Sequence, residues 1–513
     1  MSRMLTNGSI LLAAMVTGPA LTGLLAFFLG QRAPRRFGQA GAAVAALGFA
    51  GAVALALGSG RGQIASVTIG GAEFGVDRLA AVLLLLVFGV SAIVQAFAVR
   101  YLAGDPRAAW FVGGAGLTTA ASAGLTSAGT LVTLAVCWTL AGAALCLLLG
   151  TYWHLPAARD GVRRTATAFV IGDLALWVAV AVATATWGRI DLRGDGPLNG
   201  SLVPIVGLLV VVAALSRSAQ IPFHRWLPAT LAAPTPVSAL LHAGVVNAGG
   251  ILLIRLAPLT TDDLARALTI GAGAATMAYG AAVMLVKPDI KGALAHSTTA
   301  QMGFMILTCG LGLWAAAVIH LVAHGFYKAT LFLSSGSAIA AHRRHETRPP
   351  AHQLGRARTL VNVGAAVALP AAALAAALAL VPMAPGEHAA EQALLIFAWV
   401  TGAAFTWGWL QRSPGAAGVL VGAAVLTPAA VGYVAIITAL GDFLAPALPP
   451  SGLQTSAVFA ITGVAAVALG ALAMTRWAPG ADRIRRALYT GALSAGHVSA
   501  RKSSPVQLTG VRS

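Results

Sequence analysis

Three ionisable residues recur at intervals of four in the stretch IHLVAHGFYKATLFL, residues 319–333: His320, His324 and Lys328. On a helix this spacing puts them on one face, climbing about 12 Å at 1.5 Å per residue. Histidine titrates near neutrality. Lysine can give up its proton when it leaves water, whereas arginine effectively cannot. A row of such groups with intervening water can pass protons. The bland alternative is a set of satisfied polar residues that knit helices together. A lone histidine favours that alternative, but three titratable groups on one stripe favour a proton path. The choice of lysine reinforces it. The chain has 33 basic residues, and just four are lysines: Lys287, Lys291, Lys328 and Lys502.

The elements that carry this row are membrane helices. The chain has 513 residues, 58% of them hydrophobic and 9% charged, against about 25% charged in a soluble protein. Apolar runs of about 20 residues recur along its length. The expected fold is an all-α polytopic membrane protein with about 15 transmembrane helices, within about 14–16. The runs cover 9–30, 37–57, 78–99, 110–128, 130–150, 165–187, 203–230 (interrupted), 236–256, 266–286, 291–312, 313–341, 359–382, 391–411, 415–440 and 455–475. The first run, Ile10 to Phe28, reads as a span and not as a cleaved signal. Residues 1–475 form one transmembrane domain, with a motif-bearing core at 76–340 and more divergent helices at 359–475. Residues 476–513 form a basic cytoplasmic tail.

The net charge of +18 is explained by topology. When loop charges are assigned alternately to two sides, one side gathers +19 and the other −2. The basic side holds Arg32, Arg35, Arg36, Arg159, Arg163, Arg164, Arg343, Arg344, Arg348, Arg356, Arg358 and the tail from Arg476. The positive-inside rule then puts the N-terminus outside and the C-terminus in the cytoplasm. Attraction to anionic membrane lipid is a further use of this charge. Nucleic-acid binding is excluded as the reason for it. Cys137, Cys146 and Cys309 lie in apolar runs without metal-ligand spacing, so no metal site is expected. No nucleotide loop or catalytic signature is found.

Other polar interruptions extend the site. Residues 216–244, SRSAQIPFHRWLPATLAAPTPVSALLHAG, break an apolar segment with Pro222, Pro228, Pro234 and Pro236. At least one broken helix is therefore expected near 217–230, buried in protein or lining a wet cavity. Arg217 and Asp173 are the ionisable residues deep in neighbouring spans, and His242 follows the break. KPDIKGALAHSTTAQMG, 287–303, is a second polar stretch. It adds His296, Lys291 and Asp289 as candidates, with a cytoplasmic loop as the alternative for the charged three, Lys287, Asp289 and Lys291. Pro370 marks either another broken helix or a kink.

RSAQIPFHRWLPATLAAPTPVSALLHAG, DIKGALAHSTTAQMGFM and HLVAHGFYKATLFLSSGS resemble the proton-conducting antiporter-like family. That family includes large membrane-arm subunits of respiratory complex I, Mrp-type antiporter subunits and the DabB membrane subunits of inorganic carbon accumulation complexes. LLHAGVVNAGGILLIR (240–255) and YKATLFLSSGS (327–337) are most similar to the DabB branch. The resemblance implies a multi-pass protein of the bacterial plasma (inner) membrane that conducts a cation, H⁺ in the simplest case. It implies a soluble zinc-containing DabA-like partner, in which ion flow drives CO₂ hydration to bicarbonate. The zinc belongs to that partner, and this chain carries no cofactor. Lys328 matches the family's channel lysine, His320 and His324 its neighbouring histidines, and His242 the histidine after PTPVSAL. Arg217 stands where the family has a lysine, which suits an electrostatic gate. Asp173 keeps a GD motif, but the arginine usual three residues earlier is Val170. Thr139 stands near the place of a glutamate in complex I relatives. Two alternatives remain: an antiporter-like subunit of a complex I or hydrogenase-type oxidoreductase, and a non-conducting membrane anchor.

Overall fold

The computed structural model describes residues 2–63, 65–194, 199–345, 355–383, 388–413, 415–449 and 481–496. The helices are Ser2–Leu29 (α1), Pro34–Gly60 (α2), Arg78–Tyr101 (α3), Ala108–Ser127 (α4), Leu131–Leu149 (α5), Pro156–Trp187 (α6) and Val203–Arg217 (α7). They continue as Thr235–Ala243 (α8), Ala248–Arg255 (α9), Ala257–Thr260 (α10), Asp263–Val286 (α11), Ile290–Gly310 (α12) and Trp314–His345 (α13). Arg356–Leu380 (α14), Ala389–Leu410 (α15), Ala416–Leu444 (α16) and Ala481–Ala495 (α17) complete the described set. Eleven of the described helical segments are long and apolar enough to cross a membrane. Each expected span from 9–30 to 415–440 coincides with a helix, and the expected 455–475 span lies outside the described residues.

Three features outside the broken segment depart from, or add to, the sequence reading. A short antiparallel hairpin, Ala65–Ile69 (β1) with Ala72–Val76 (β2), joins α2 to α3. Gly70 and Gly71 make its turn with φ of 56° and 83°, angles that a Cβ disfavours. Pro370 lies inside α14, which runs unbroken, so that span is not a second broken helix. The basic tail contains a helix, α17, whose Ala495 carbonyl accepts a hydrogen bond from the Tyr279 hydroxyl on α11 at 3.1 Å.

Small residues set how closely the helices approach, as expected where lipid supplies no hydrophobic drive between them. A Cβ on Gly280 of α11 would stand 2.4 Å from the Ala300 nitrogen of α12, and one on Gly303 equally close to the Met277 nitrogen. Gly23 of α1 meets the Gly113 carbonyl of α4 in the same way. The α8–α9 segment is almost wholly enclosed, packed against α3, α7, α12 and α13.

The expected break follows α7. Ala219 adopts φ 51°, a strained angle for a residue with a Cβ, and a 3₁₀ turn spans Phe223–Thr230. Its freed backbone groups find partners: the Ile221 amide donates to Thr276 Oγ1 at 2.9 Å, and the Ser216 carbonyl accepts from Trp226 Nε1 at 3.0 Å. A second break, unexpected from sequence, separates α8 from α9 at Gly244–Asn247. The two breaks touch, because the Ser218 hydroxyl donates to the Val246 carbonyl at 2.6 Å.

Where the hairpin meets α3, Asp77 caps that helix by accepting from the Ala80 amide at 2.7 Å. It also pairs with Arg255 at the end of α9, 2.9 Å from Nη2 to Oδ1. Burial pushes the Asp77 carboxyl up, but the Arg255 guanidinium and the helix cap together pull it lower, for a net depression below 3.8. A depressed carboxyl stabilises the fold above its unfolded value and loses that contribution as pH falls through the folded value. The unfolding midpoint of the wild type in mild detergent is therefore expected to drop below about pH 3.8. Asp77→Asn should start lower at neutral pH and lose less on acidification.

Candidate functional site

The His–His–Lys row lies on α13, and all three residues are buried: His320 is 8% exposed, His324 4% and Lys328 0%. Lys328 stands about 21 Å along α13 from Trp314 at 1.5 Å per residue. Its ammonium donates to Ser297 Oγ on α12 at 2.8 Å and to the Leu294 carbonyl at 3.5 Å, both neutral acceptors. The His320 and His324 rings stack at 5.7 Å, one turn apart. His320 reaches the backbone of Gln301 and His324 that of His242, and the Nε2 atom of each ring is buried without a protein partner.

His242 joins this group through the second break. It ends α8, lies flat on Phe332 of α13 at 4.3 Å, and is close enough to feel the Lys328 charge. The fit between the helices depends on Gly325, where a Cβ would stand 2.9 Å from the Ala243 carbonyl. The structure thus brings together four of the sequence candidates, His242, His320, His324 and Lys328, around one buried polar centre. Buried polar atoms are rarely left without a partner, so ring nitrogens free of protein contacts mark a place that takes water.

Arg217 and Asp173 form a separate centre. Arg217 is fully buried at the end of α7, and its Nη2 donates to Asp173 Oδ1 of α6 at 2.8 Å. Its Nη1 donates to the Trp138 carbonyl at 3.1 Å, and Trp138 Nε1 donates to the same Asp173 oxygen at 2.7 Å. The guanidinium lies between the Trp138 and Phe169 rings, 4.3 and 4.2 Å from their centroids. Gly142 makes the space, since a Cβ there would stand 2.9 Å from Nη2. A planar, permanently charged fork suits this sandwich, and an ammonium would lose both the fork and the stack. Thr139 stays apart from it, accepting from Trp177 Nε1 at 3.1 Å.

The remaining candidates divide. Asp289 caps α12, accepting from the Gly292 amide at 2.5 Å, and Lys291 donates to the Ala233 carbonyl at 3.3 Å. Both make helix-end contacts, although the Lys291 charge, like that of Lys328, reaches His242. His296 is 1% exposed with both ring nitrogens free of protein partners, and faces Tyr279 of α11 at 5.9 Å. Sequence reasoning did not single out Ser297, Trp138, Phe169 or Asn247. Ser297 and Asn247 lie inside quoted motifs, but nothing in a linear motif says which helix each will meet.

The Arg217–Asp173 geometry yields a stability prediction. Arg217→Ala strands a half-enclosed carboxylate and empties a stacked slot, and should cost about 3–5 kcal/mol. With Asp173→Asn added, the double variant should lose less than the sum, with a coupling of about 1–3 kcal/mol. Unfolding free energies of the four forms in mild detergent measure both.

Comparison with known proteins gives the chain its family. The family described as NADH:quinone oxidoreductase/Mrp antiporter, TM, matches residues 128–413, and the complex I chain 5 N-terminus matches 68–112. The probable inorganic carbon transporter subunit DabB1 of Halothiobacillus neapolitanus is 36% identical over 353 residues, 64% of this chain and 62% of that one. The NADH-quinone oxidoreductase subunit L of Mycobacterium tuberculosis is 37% identical over 284 residues, 53% of this chain and 44% of that one. The match therefore spans less than two thirds of either relative's length. The Mrp complex from Dietzia sp. DQ12-45-1b shares the fold, with a TM-score of 0.59 at 24% identity, covering 98% of this chain and 60% of that one. A multi-pass, antiporter-like membrane protein similar to DabB and complex I relatives, the chain belongs to the NADH:quinone oxidoreductase/Mrp antiporter transmembrane family.

Proposed function

We propose that the chain is a cation-conducting, in the simplest case proton-conducting, membrane subunit that energises inorganic carbon uptake. The observation that carries this reading is Lys328: a fully buried ammonium held by a hydroxyl and a carbonyl, at the foot of a histidine row. A lysine with neutral partners can exist in either charge state, whereas the arginine used elsewhere in the chain cannot. His320, His324 and His242 supply neighbouring sites, and water completes the steps between rings. Arg217 and Asp173 act as a fixed charge pair beside this route, a modulator and not a relay. With Thr139 in place of an acid, the set suits downhill conduction better than pumping.

The coupled chemistry belongs to a partner. Similarity to a probable inorganic carbon transporter subunit supports a hetero-complex in the bacterial inner membrane. Its soluble DabA-like member would hold zinc and hydrate CO₂ to bicarbonate as the ion runs down its gradient. A second reading, an antiporter-like subunit of an oxidoreductase, is favoured by the 37% identity to subunit L. A gentle-detergent pull-down from the native host separates them. A large soluble zinc protein in fixed stoichiometry supports the first, and co-purified iron–sulfur or quinone-reducing subunits support the second.

Conduction itself is tested in proteoliposomes holding the purified assembly. Lys328→Met should lower proton flux by about 100-fold, the scale of losing one proton-transfer group. Lys328→Arg should do the same despite keeping the charge. Wild-type flux in both variants would leave the chain a membrane anchor.

A further inference from the structure

A crevice of about 1170 Å³ opens on the arginine-rich face, where the start of α2, the end of α3 and the start of α4 come together. Its charged lining residues are Arg35, Arg36 and Arg100, all exposed, and one acid, Asp105. That acid is already used. One of its oxygens accepts from the Tyr152 hydroxyl at 2.6 Å and the other from the Arg107 amide at 2.7 Å. Among the described residues no carboxylate pairs with any of the three arginines. The inner end is polar too. Gln95 is 3% exposed there and gives its Nε2 to Ser91 at 2.8 Å, while its Oε1 has no protein partner.

Below the arginines an apolar groove continues between α2 and α3. On α3, Arg100, Ala96 and Ile93 share one helical face, and neither Ala96 nor Ile93 is covered by the rest of the chain, Ile93 being 49% exposed. On α2, Arg35, Ala42, Ala46 and Phe49 share a face in the same way, with Ala46 exposed and Phe49 38% exposed. The two faces lie on the same flank of the helix pair, because a Cβ on Gly89 of α3 would stand 3.2 Å from the Phe49 ring. Gly41 and Gly48 hold the helices together along the middle of the contact, against Gln95 and Phe88. Phe49 stands about 21 Å along α2 from Arg35 at 1.5 Å per residue. The groove therefore runs from a cationic mouth through more than half of a hydrocarbon core about 30 Å thick.

We propose that this crevice binds one anionic phospholipid, its phosphodiester held by Arg35, Arg36 and Arg100 and an acyl chain lying along Phe49 and Ile93. The guanidinium fork matches phosphate oxygens two at a time, and arginines at the membrane boundary draw anionic lipid. A soluble phosphate ester would use only the mouth of the crevice. An acidic segment of a partner protein would likewise leave the apolar track below it unfilled. A phospholipid uses both, with its charge and its chain in the order in which the groove presents them. The site does not depend on which ion the chain conducts or on the partner it serves.

Native mass spectrometry of the full chain in mild detergent tests it, with phosphatidylglycerol, phosphatidylcholine and soluble glycerol phosphate as probes. One phosphatidylglycerol should stay bound under conditions that strip phosphatidylcholine and glycerol phosphate. Replacing the three arginines together, Arg35→Gln, Arg36→Gln and Arg100→Gln, should weaken its binding by about 100-fold, or about fivefold for each arginine. Ala96→Trp, which fills the track and keeps every arginine, should weaken it as well. All four positions are exposed, and unfolding midpoints close to wild type show that the fold persists. Equal retention of phosphatidylglycerol by the wild type and the triple variant overturns the site. Glycerol phosphate held as tightly as the lipid, with Ala96→Trp silent, overturns the lipid in favour of a soluble anion. A partner polypeptide lost from the native assembly when the arginines are replaced, with lipid retention unchanged, assigns the crevice to that partner instead.

Discussion

A polar group in the middle of a bilayer must find a partner inside the protein or bring water with it. Much of this structure is arranged around that constraint. The breaks at 218–234 and 244–247 free backbone donors and acceptors that a continuous helix would have paired. Those groups are answered by Thr276, Trp226 and Ser218, each from another element or from across the break. Because Ser218 spans from one break to the other, the two irregular segments form one buried unit, and the surrounding helices enclose it.

The same constraint separates two kinds of charge. Arg217 is immobilised by a carboxylate, a carbonyl and two aromatic faces, with Gly142 removing the side chain that would collide with it. The carboxylate, the carbonyl and the two ring faces all favour the charged guanidinium, against the cost of its full burial. Lys328 has the opposite surroundings: a hydroxyl, a carbonyl and nearby imidazoles. A group with neutral partners is free to change state, and one locked to an acid is not. The molecule therefore holds a fixed charge and a convertible one in different helix clusters, although both lie near the paired breaks.

Close packing is what allows the centre to stay narrow. Glycines on α1 and α4, and on α11 and α12, bring backbones into contact without side chains between them. Gly325 does the same between α13 and the Ala243 carbonyl, which holds His324 against the break. A larger residue at any of these positions would force the helices apart and widen the space between them.

Much of this was legible in the sequence. Apolar run lengths fix the helices because a lipid-facing backbone must pair with itself, and prolines at 222, 228, 234 and 236 forced the first break. The i, i+4, i+8 spacing alone placed His320, His324 and Lys328 on one stripe. Partners across helices were not legible. That Lys328 would meet Ser297, that Asp173 would pair with Arg217, and that Asp289 would cap α12 depend on helix rotation and approach, which no local pattern encodes. The break at Gly244–Asn247 has no proline to announce it, and it arises where Ser218 captures the Val246 carbonyl. Sequence determined which residues are costly to bury and that helices carry them. Tertiary structure alone decided what each one touches, because hydrogen bonds and packing act over a few ångströms between segments far apart in the chain.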